Sequence, residues 1–202
     1  MKSAFNLNYQ NSNVDGRIVA ALERISEAFR VLLWDESKAF SLTPIQVQIL
    51  IFLHTHSKDK RKVSYLAEEF NLSKPTISDA VKALEEKSLI TRKNNPDDSR
   101  SYHIELTKKG KEIAEKTSLF TVELVKPIEQ LESNDKENLL LSLLRIIYHM
   151  TRTGVITIQR MCWTCEYYRS DQDQGQHFCK LLNKRLLVTD LRIDCPEHSI
   201  VR

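Results

Sequence analysis

All four cysteines of the chain lie after residue 160, at Cys162, Cys165, Cys179 and Cys195. The spacing is C-x2-C, then thirteen residues, C, fifteen residues, C. Clustered thiols in a chain expected to be cytoplasmic favour a metal over disulfides. A C-x2-C unit lets two sulfurs face one ion across a tight turn, and the two distant cysteines complete a tetrahedral set. Structural zinc is the default occupant of four thiolates; a [4Fe–4S] cluster is the alternative. Trp163, Tyr167, Tyr168 and Phe178 would shield a cluster or form a small core beside zinc. A third reading is a metal-free Cys162–Cys165 thiol switch, but no neighbour in the sequence marks a lowered thiol pKa. With four cysteines present, His177 and His198 are expected beside the site or on the surface, not as ligands. Asp190, Asp194 and Glu197 with Arg192 are expected to form a solvated face, and His54, His56, His103 and His149 to be scattered without a special role. The segment has too few aliphatic residues for much of a core of its own, so a metal would supply folding free energy that packing does not.

Elsewhere the chain carries no Gly-rich phosphate loop, nucleophile elbow or paired-carboxylate context, so we expect no enzyme. The other residues suited to chemistry are polar and lie on one helical face: Ser73, Lys74, Pro75, Thr76, Ser78, Asp79 and Lys82. Such side chains read phosphates and base edges. Ile77, Ala80, Val81 and Leu84 form the opposite, apolar stripe. Ser73 is placed to cap this helix, and Pro75 falls in its first turn, where a missing N–H costs nothing. Asn71, which tolerates a left-handed backbone, ends a preceding short helix over residues 63–70. Ala67 is small where the two helices would cross.

A hairpin follows. Residues 90–94 and 101–106 are short β-compatible runs; in the second, Tyr102, Ile104 and Leu106 alternate with His103 and Glu105. Asn94 to Ser99 are turn formers. Arg100 is expected at the tip, oriented by Asp98, to enter a narrow minor groove where the negative potential is strongest. Thr107 can cap the next helix. Helix, turn, helix and two-stranded wing, in that order, suit the placing of one helix in the DNA major groove.

The chain resembles the MarR family of winged-helix transcriptional regulators. The resemblance rests on SLTPIQVQIL (residues 41–50), the helix pair, LEEKSLITRK, the P-x-D-x-R tip (Pro96, Asp98, Arg100) and LTKKGKEI, and spans roughly residues 14–152. Two positions depart from it: Ser88 stands where the family has glycine, and Ser99 where it often has a second arginine. The resemblance implies a mainly α fold with a winged helix-turn-helix, and a two-fold homodimer built by the terminal helices. It also implies binding to a pseudo-palindromic double-stranded DNA operator, and a possible small-molecule effector between the dimer helices and the DNA-binding lobe.

The organisation follows from these readings: a dimerisation helix over 1–40, the winged helix over 41–107, dimerisation helices over 108–153 and the cysteine module over 154–202. Val14, Ile18, Leu22, Ile25 and Phe29 repeat at helical spacing. A long helix is expected over 108–132, interrupted at Pro127, and another starting at Asn134 with a capping box to Glu137. Leu139, Leu140, Leu143, Ile146, Ile147 and Met150 give it a broad apolar face. The net charge of +3 permits nucleic-acid binding without arguing for it. The local clusters Lys58, Lys60, Arg61, Lys62 and Lys108, Lys109, Lys111 flank the winged helix and suit phosphate contact. No leader or membrane-length apolar run stands out, and the expected location is cytoplasmic. The function expected is that of a DNA-binding regulator, a repressor, with an appended zinc or iron–sulfur module. The competing class is a winged-helix protein-interaction module with an electron-transfer tail.

Overall fold

A computed structural model describes residues 3–95, 98–171 and 176–200. Helices α1 (Leu7–Ser12) and α2 (Val14–Ala39) lead into α3 (Pro44–Thr55). The helix pair α4 (Val63–Glu69) and α5 (Lys74–Glu86) follows, then strands β1 (Ile90–Asn95) and β2 (Asp98–Leu106). Helices α6 (Lys108–Thr117), α7 (Val122–Glu129) and α8 (Ser133–Arg152) precede a small antiparallel sheet of β3 (Tyr168–Asp171), β4 (Gln176–Cys179) and β5 (Lys184–Leu186). Among the described residues no helix is long and apolar enough to cross a membrane.

Helix α3 is the centre of the main core. Its sequence is apolar on nearly every side, and Val47, Ile49, Leu50 and Leu53 are fully buried. A capping box starts it: Thr43 accepts from the Gln46 N–H while the Gln46 side chain accepts from the Thr43 N–H. Around α3 pack Leu66, Ile77, Val81 and Leu84 from the helix pair, with Ile90 and Ile104 from the wing. Gly110 of α6 is explained here. A Cβ on it would stand 1.9 Å from the Leu89 carbonyl oxygen, so only glycine lets α6 seat against the turn between α5 and β1. Thr107 caps α6 through the Gly110 N–H and ties it back by donating to the Ser88 and Leu89 carbonyls.

The long helix expected over 108–132 breaks earlier than Pro127. A 3-10 turn at Ser118–Thr121 separates α6 from α7, and Pro127 sits inside α7, which ends two residues later. The Thr117 and Ser118 hydroxyls donate back to the Ile113 and Glu115 carbonyls, competing with the regular backbone bonds there. The capping box at Asn134 does not form. Helix α8 begins at Ser133 with Glu132 at the cap position and no side-chain cap bond, leaving Asn134 inside the first turn.

The broad apolar face of α8 divides in two. Leu140, Leu144 and Ile147 pack with Tyr148 against the cysteine module, where Met161, Leu186 and Leu191 complete a second core. Leu139, Ile146 and Met150 stay exposed. The module thus borrows its core from α8, as its shortage of aliphatic residues requires.

Candidate functional site

The polar face of α5 stands outward as its periodicity requires. Ile77, Ala80, Val81 and Leu84 are buried, while Lys74, Pro75, Thr76, Asp79 and Lys82 are exposed and Ser78 is half-buried. Asn71 has φ 51°, the left-handed turn between the helices. The Leu72 N–H closes that turn onto the Ala67 carbonyl at 2.9 Å. Ser73 accepts from the Thr76 N–H at 3.2 Å, and the two hydroxyls bond each other at 2.7 Å. Among the described residues neither Lys74 nor Lys82 forms an ion pair, which leaves both ammonium groups for an anionic partner. Ser88, after α5, has φ 58°, a left-handed conformation that strains a residue with a Cβ.

The wing pairs Ile90 with Leu106 and Arg92 with Ile104, then shifts register after Asn94. Asp98 and Ser99, expected in the turn, continue as strand. Pro96 lies outside the described residues, as do the side chains of Asp98 and Arg100. At the base of the wing, Glu105 pairs with Lys58 at 3.2 Å and Lys93 at 3.0 Å. Hydrogen bonds from Lys93 and Lys58 hold its carboxyl down at about 2. The basic cluster before α4 is therefore partly used inside the fold. Lys58 serves the wing, and Arg61 donates to the His56 carbonyl at 2.7 and 2.9 Å. Lys108, Lys109 and Lys111 remain exposed.

In the tail, the fold brings the four cysteines together. Cys162 and Cys165 sit on a 3-10 turn closed by the Cys165 N–H to the Cys162 carbonyl at 3.0 Å. Cys179 ends β4, and Cys195 follows a strand-like bridge between Arg160 and Asp194. All four line one cavity, with Leu181, Leu182 and Leu186 as apolar walls. The Arg192 N–H reaches the Cys162 sulfur at 3.2 Å, and its guanidinium reaches the Cys195 sulfur at 3.5 Å. Such donors favour thiolates. Burial pushes the Cys162 thiol up, and the three neighbouring sulfurs act in the same direction. A cation between them reverses both effects. Among the described residues no three Cys, His, Asp or Glu side chains converge at ligand geometry. The donor chemistry fits a metal. Neither histidine lines the cavity: His198 bonds the Thr164 hydroxyl at 2.9 Å and His177 the Tyr168 hydroxyl at 2.5 Å.

The most elaborate polar cluster was not legible in the sequence. Arg160 is 6% exposed. It grips Asp194 through Nε at 2.6 Å and Nη2 at 2.9 Å. Its other edge grips Glu69 at 2.7 and 3.0 Å and the Tyr65 hydroxyl at 2.9 Å. His56 joins at Asp194 at 2.9 Å. Asp194 and His56 are thus members of this network: Asp194 stays exposed as expected but is also ion-paired, and His56 has a role that its sequence did not suggest. The Asp194 hydrogen bonds outweigh its burial and hold its carboxyl below the usual carboxylate range, while Asp194 and Glu69 raise the Arg160 guanidinium. The only sequence signal was position: Arg160 precedes Cys162 by two residues and Asp194 directly precedes Cys195.

A sequence model of the MarR family matches residues 40–101, from before α3 to the second strand of the wing. Among solved structures, Staphylococcus aureus MepR in complex with DNA aligns with TM-score 0.57 and 25% identity, over 65% of this chain and 96% of that one. MepR in its DNA-binding conformation aligns with TM-score 0.57 and 23% identity, over 66% and 98%. The fold is MarR-like. MepR, described as a transcription regulator of the multidrug efflux pump MepA, also aligns at TM-score 0.50 and 22% identity, over 72% of this chain and 99% of its own. A search of curated proteins finds no significant match. The MarR-like alignments with MepR leave about a third of the chain without a counterpart.

Proposed function

We propose that this chain is a cytoplasmic transcriptional regulator that binds double-stranded DNA as a homodimer and acts as a repressor. One observation carries the reading: α5 buries Ile77, Ala80, Val81 and Leu84 while turning Lys74, Thr76, Asp79 and Lys82 outward beside a two-stranded wing. In this reading Ser73, Lys74, Pro75, Thr76, Ser78, Asp79 and Lys82 meet the major groove, and Arg100, oriented by Asp98, enters the minor groove. The exposed apolar residues Val14, Ile18, Ile25 and Phe29 of α2 and Val122, Val125 and Ile128 of α7 supply the dimer surface. A two-fold dimer sets two α5 helices about 34–36 Å apart, matching a pseudo-palindromic operator. The space between dimer helices and winged helix suits a small-molecule effector.

The tail in this reading holds one zinc ion through Cys162, Cys165, Cys179 and Cys195, with a [4Fe–4S] cluster as the alternative. Bound zinc supplies folding free energy to a segment with a small core. The test of the DNA reading is a binding titration against salt, using a duplex selected from a randomised pool. Lys82→Ala is expected to weaken binding and reduce the slope of log K against log salt by about 1. Arg100→Ala is expected to weaken binding as well. If no preferred duplex emerges from the pool, the winged helix serves protein contact instead. Metal analysis and a visible spectrum of protein purified without air separate zinc from a cluster.

A further inference from the structure

The residues beside the cysteines bond to the winged helix. Arg160 and Asp194 pair as strand neighbours. The Cys195 N–H bonds the Arg160 carbonyl at 3.0 Å, and the Cys162 N–H bonds the Arg192 carbonyl at 3.0 Å. Residues 160–162 and 192–195 therefore form one seam, with Cys162 at one end and Cys195 at the other. An ion held by both sulfurs locks that seam. From the same seam, the Arg160 guanidinium reaches out to Glu69 and Tyr65 of α4, and Asp194 reaches His56 just beyond α3. A second attachment lies close by: the Thr157 hydroxyl donates to the Glu68 carbonyl at 2.6 Å.

Helix α4 is the half of the helix pair against which α5 is set. The turn between them is short, and Leu66 and Ala67 pack in the same core as Ile77 and Val81. Arg160 is a fork with five donors in a plane, and both carboxylates meet it edge-on. Such a clamp holds direction as well as distance, so the seam cannot shift without pulling α4. The Phe52 ring under Arg160, 5.8 Å from its guanidinium, ties the clamp to α3 as well.

We propose that the metal state of the cysteine site regulates DNA reading through the Arg160 clamp: zinc locks the seam, the seam holds α4 through Glu69 and Tyr65, and α5 is presented to DNA in its binding orientation. This rests on the zinc and DNA readings above. It adds that the two binding events are coupled, with Arg160, Asp194, Glu69 and Tyr65 as positioning residues that touch neither DNA nor metal. Coupling of this kind is reciprocal: zinc tightens DNA binding by the same factor as DNA tightens zinc binding.

The experiment uses the full chain, Zn²⁺ alone as the metal probe, and the duplex selected by zinc-loaded protein. For the wild type, chelation that leaves helical circular dichroism intact is expected to weaken duplex binding tenfold or more. Saturation with duplex is expected to tighten zinc binding by the same factor. Glu69→Gln is expected to keep one zinc per chain while its duplex affinity changes less than twofold on chelation. Tyr65→Phe, which removes one hydroxyl, carries the test should Glu69→Gln not fold, and its zinc dependence is expected to fall at least threefold. Equal duplex affinity of zinc-loaded and zinc-free wild type, with one zinc bound per chain, overturns the coupling while leaving the zinc reading in place. Full zinc dependence in both variants overturns the clamp as its route. Failure of the wild type to bind zinc sinks the zinc reading itself and the coupling with it.

Discussion

The winged helix and the cysteine module solve the same problem with different means. Among the described residues the winged helix gathers sixteen buried apolar residues in one core, against four in the core shared by α8 and the module. The first is enough to hold a helix-turn-helix by packing. The second is not enough to hold three short strands and a run of turns, so the module leans on α8, on hydrogen bonds to sulfur and on a buried ion network. A buried ion network is a weak source of net stability, because desolvation offsets much of the attraction. What the Arg160 network supplies instead is a defined docking geometry. Packing dominates the winged helix; directional polar bonds set where the module sits upon it.

The sharpest way to break this contrast is at the cysteines. Cys179→Ser is expected to abolish stoichiometric zinc binding and to expose residues 160–200 to limited proteolysis, while residues 42–117 remain protected. Metal contributes about 10–16 kcal/mol in small zinc-dependent folds, so this is the largest effect foreseen. Simultaneous loss of both regions would show that they are one cooperative unit. Next in size is Leu84→Ala, which opens a cavity in the fully buried core of the winged helix. It is expected to cost about 2–5 kcal/mol in urea denaturation and to act on the winged helix whether or not zinc is present. Gly110→Ala comes third. Its Cβ meets backbone, which yields less readily than a side chain, and a loss of about 1–3 kcal/mol is expected by the same measurement.

The smallest effect concerns pH and the base of the wing. Glu105 has its carboxyl lowered from 4.5 to about 2 by Lys93 and Lys58. A depressed carboxyl contributes stability that is present above the unfolded value and lost as pH falls through the folded one. Glu105→Gln is therefore expected to lower Tm at pH 7, and the gap to wild type should close between about pH 5 and pH 2. A gap that stays constant over that range would mean that the lysine pairs contribute nothing to the folded wing.

The parts of this molecule that were legible in its sequence are those whose partners lie within a few residues. Asn71, Ser73, Pro75 and Thr107 act on their own turns, and the stripe of Ile77, Ala80, Val81 and Leu84 needs only the helical period to be recognised. The wing strands were legible by alternation, though their inner ends run further toward the tip than turn-forming residue types suggested. The break after α6 was placed too late, because Pro127 is a louder signal than two hydroxyls bonding back to carbonyls. The capping box at Asn134 was a correct pattern in the wrong register, since the helix begins at Ser133. The spacing of the four cysteines was legible, and in the fold all four line one cavity, though no three of them converge at ligand geometry. Their occupant was not, because zinc and a cluster ask for the same thiolates.

By itself the sequence determined the winged helix and its outward face, and the composition of the tail. Those depend on local period, caps and residue type, which act over single turns of chain. Only the tertiary structure decided that α8 divides its apolar face and that the tail rests on α4. It alone joined His56 to Asp194 across 138 residues. A charged side chain carries no record in the sequence of which distant partner it will meet. Arg160 becomes a clamp only when two carboxylates and a hydroxyl arrive from other parts of the chain.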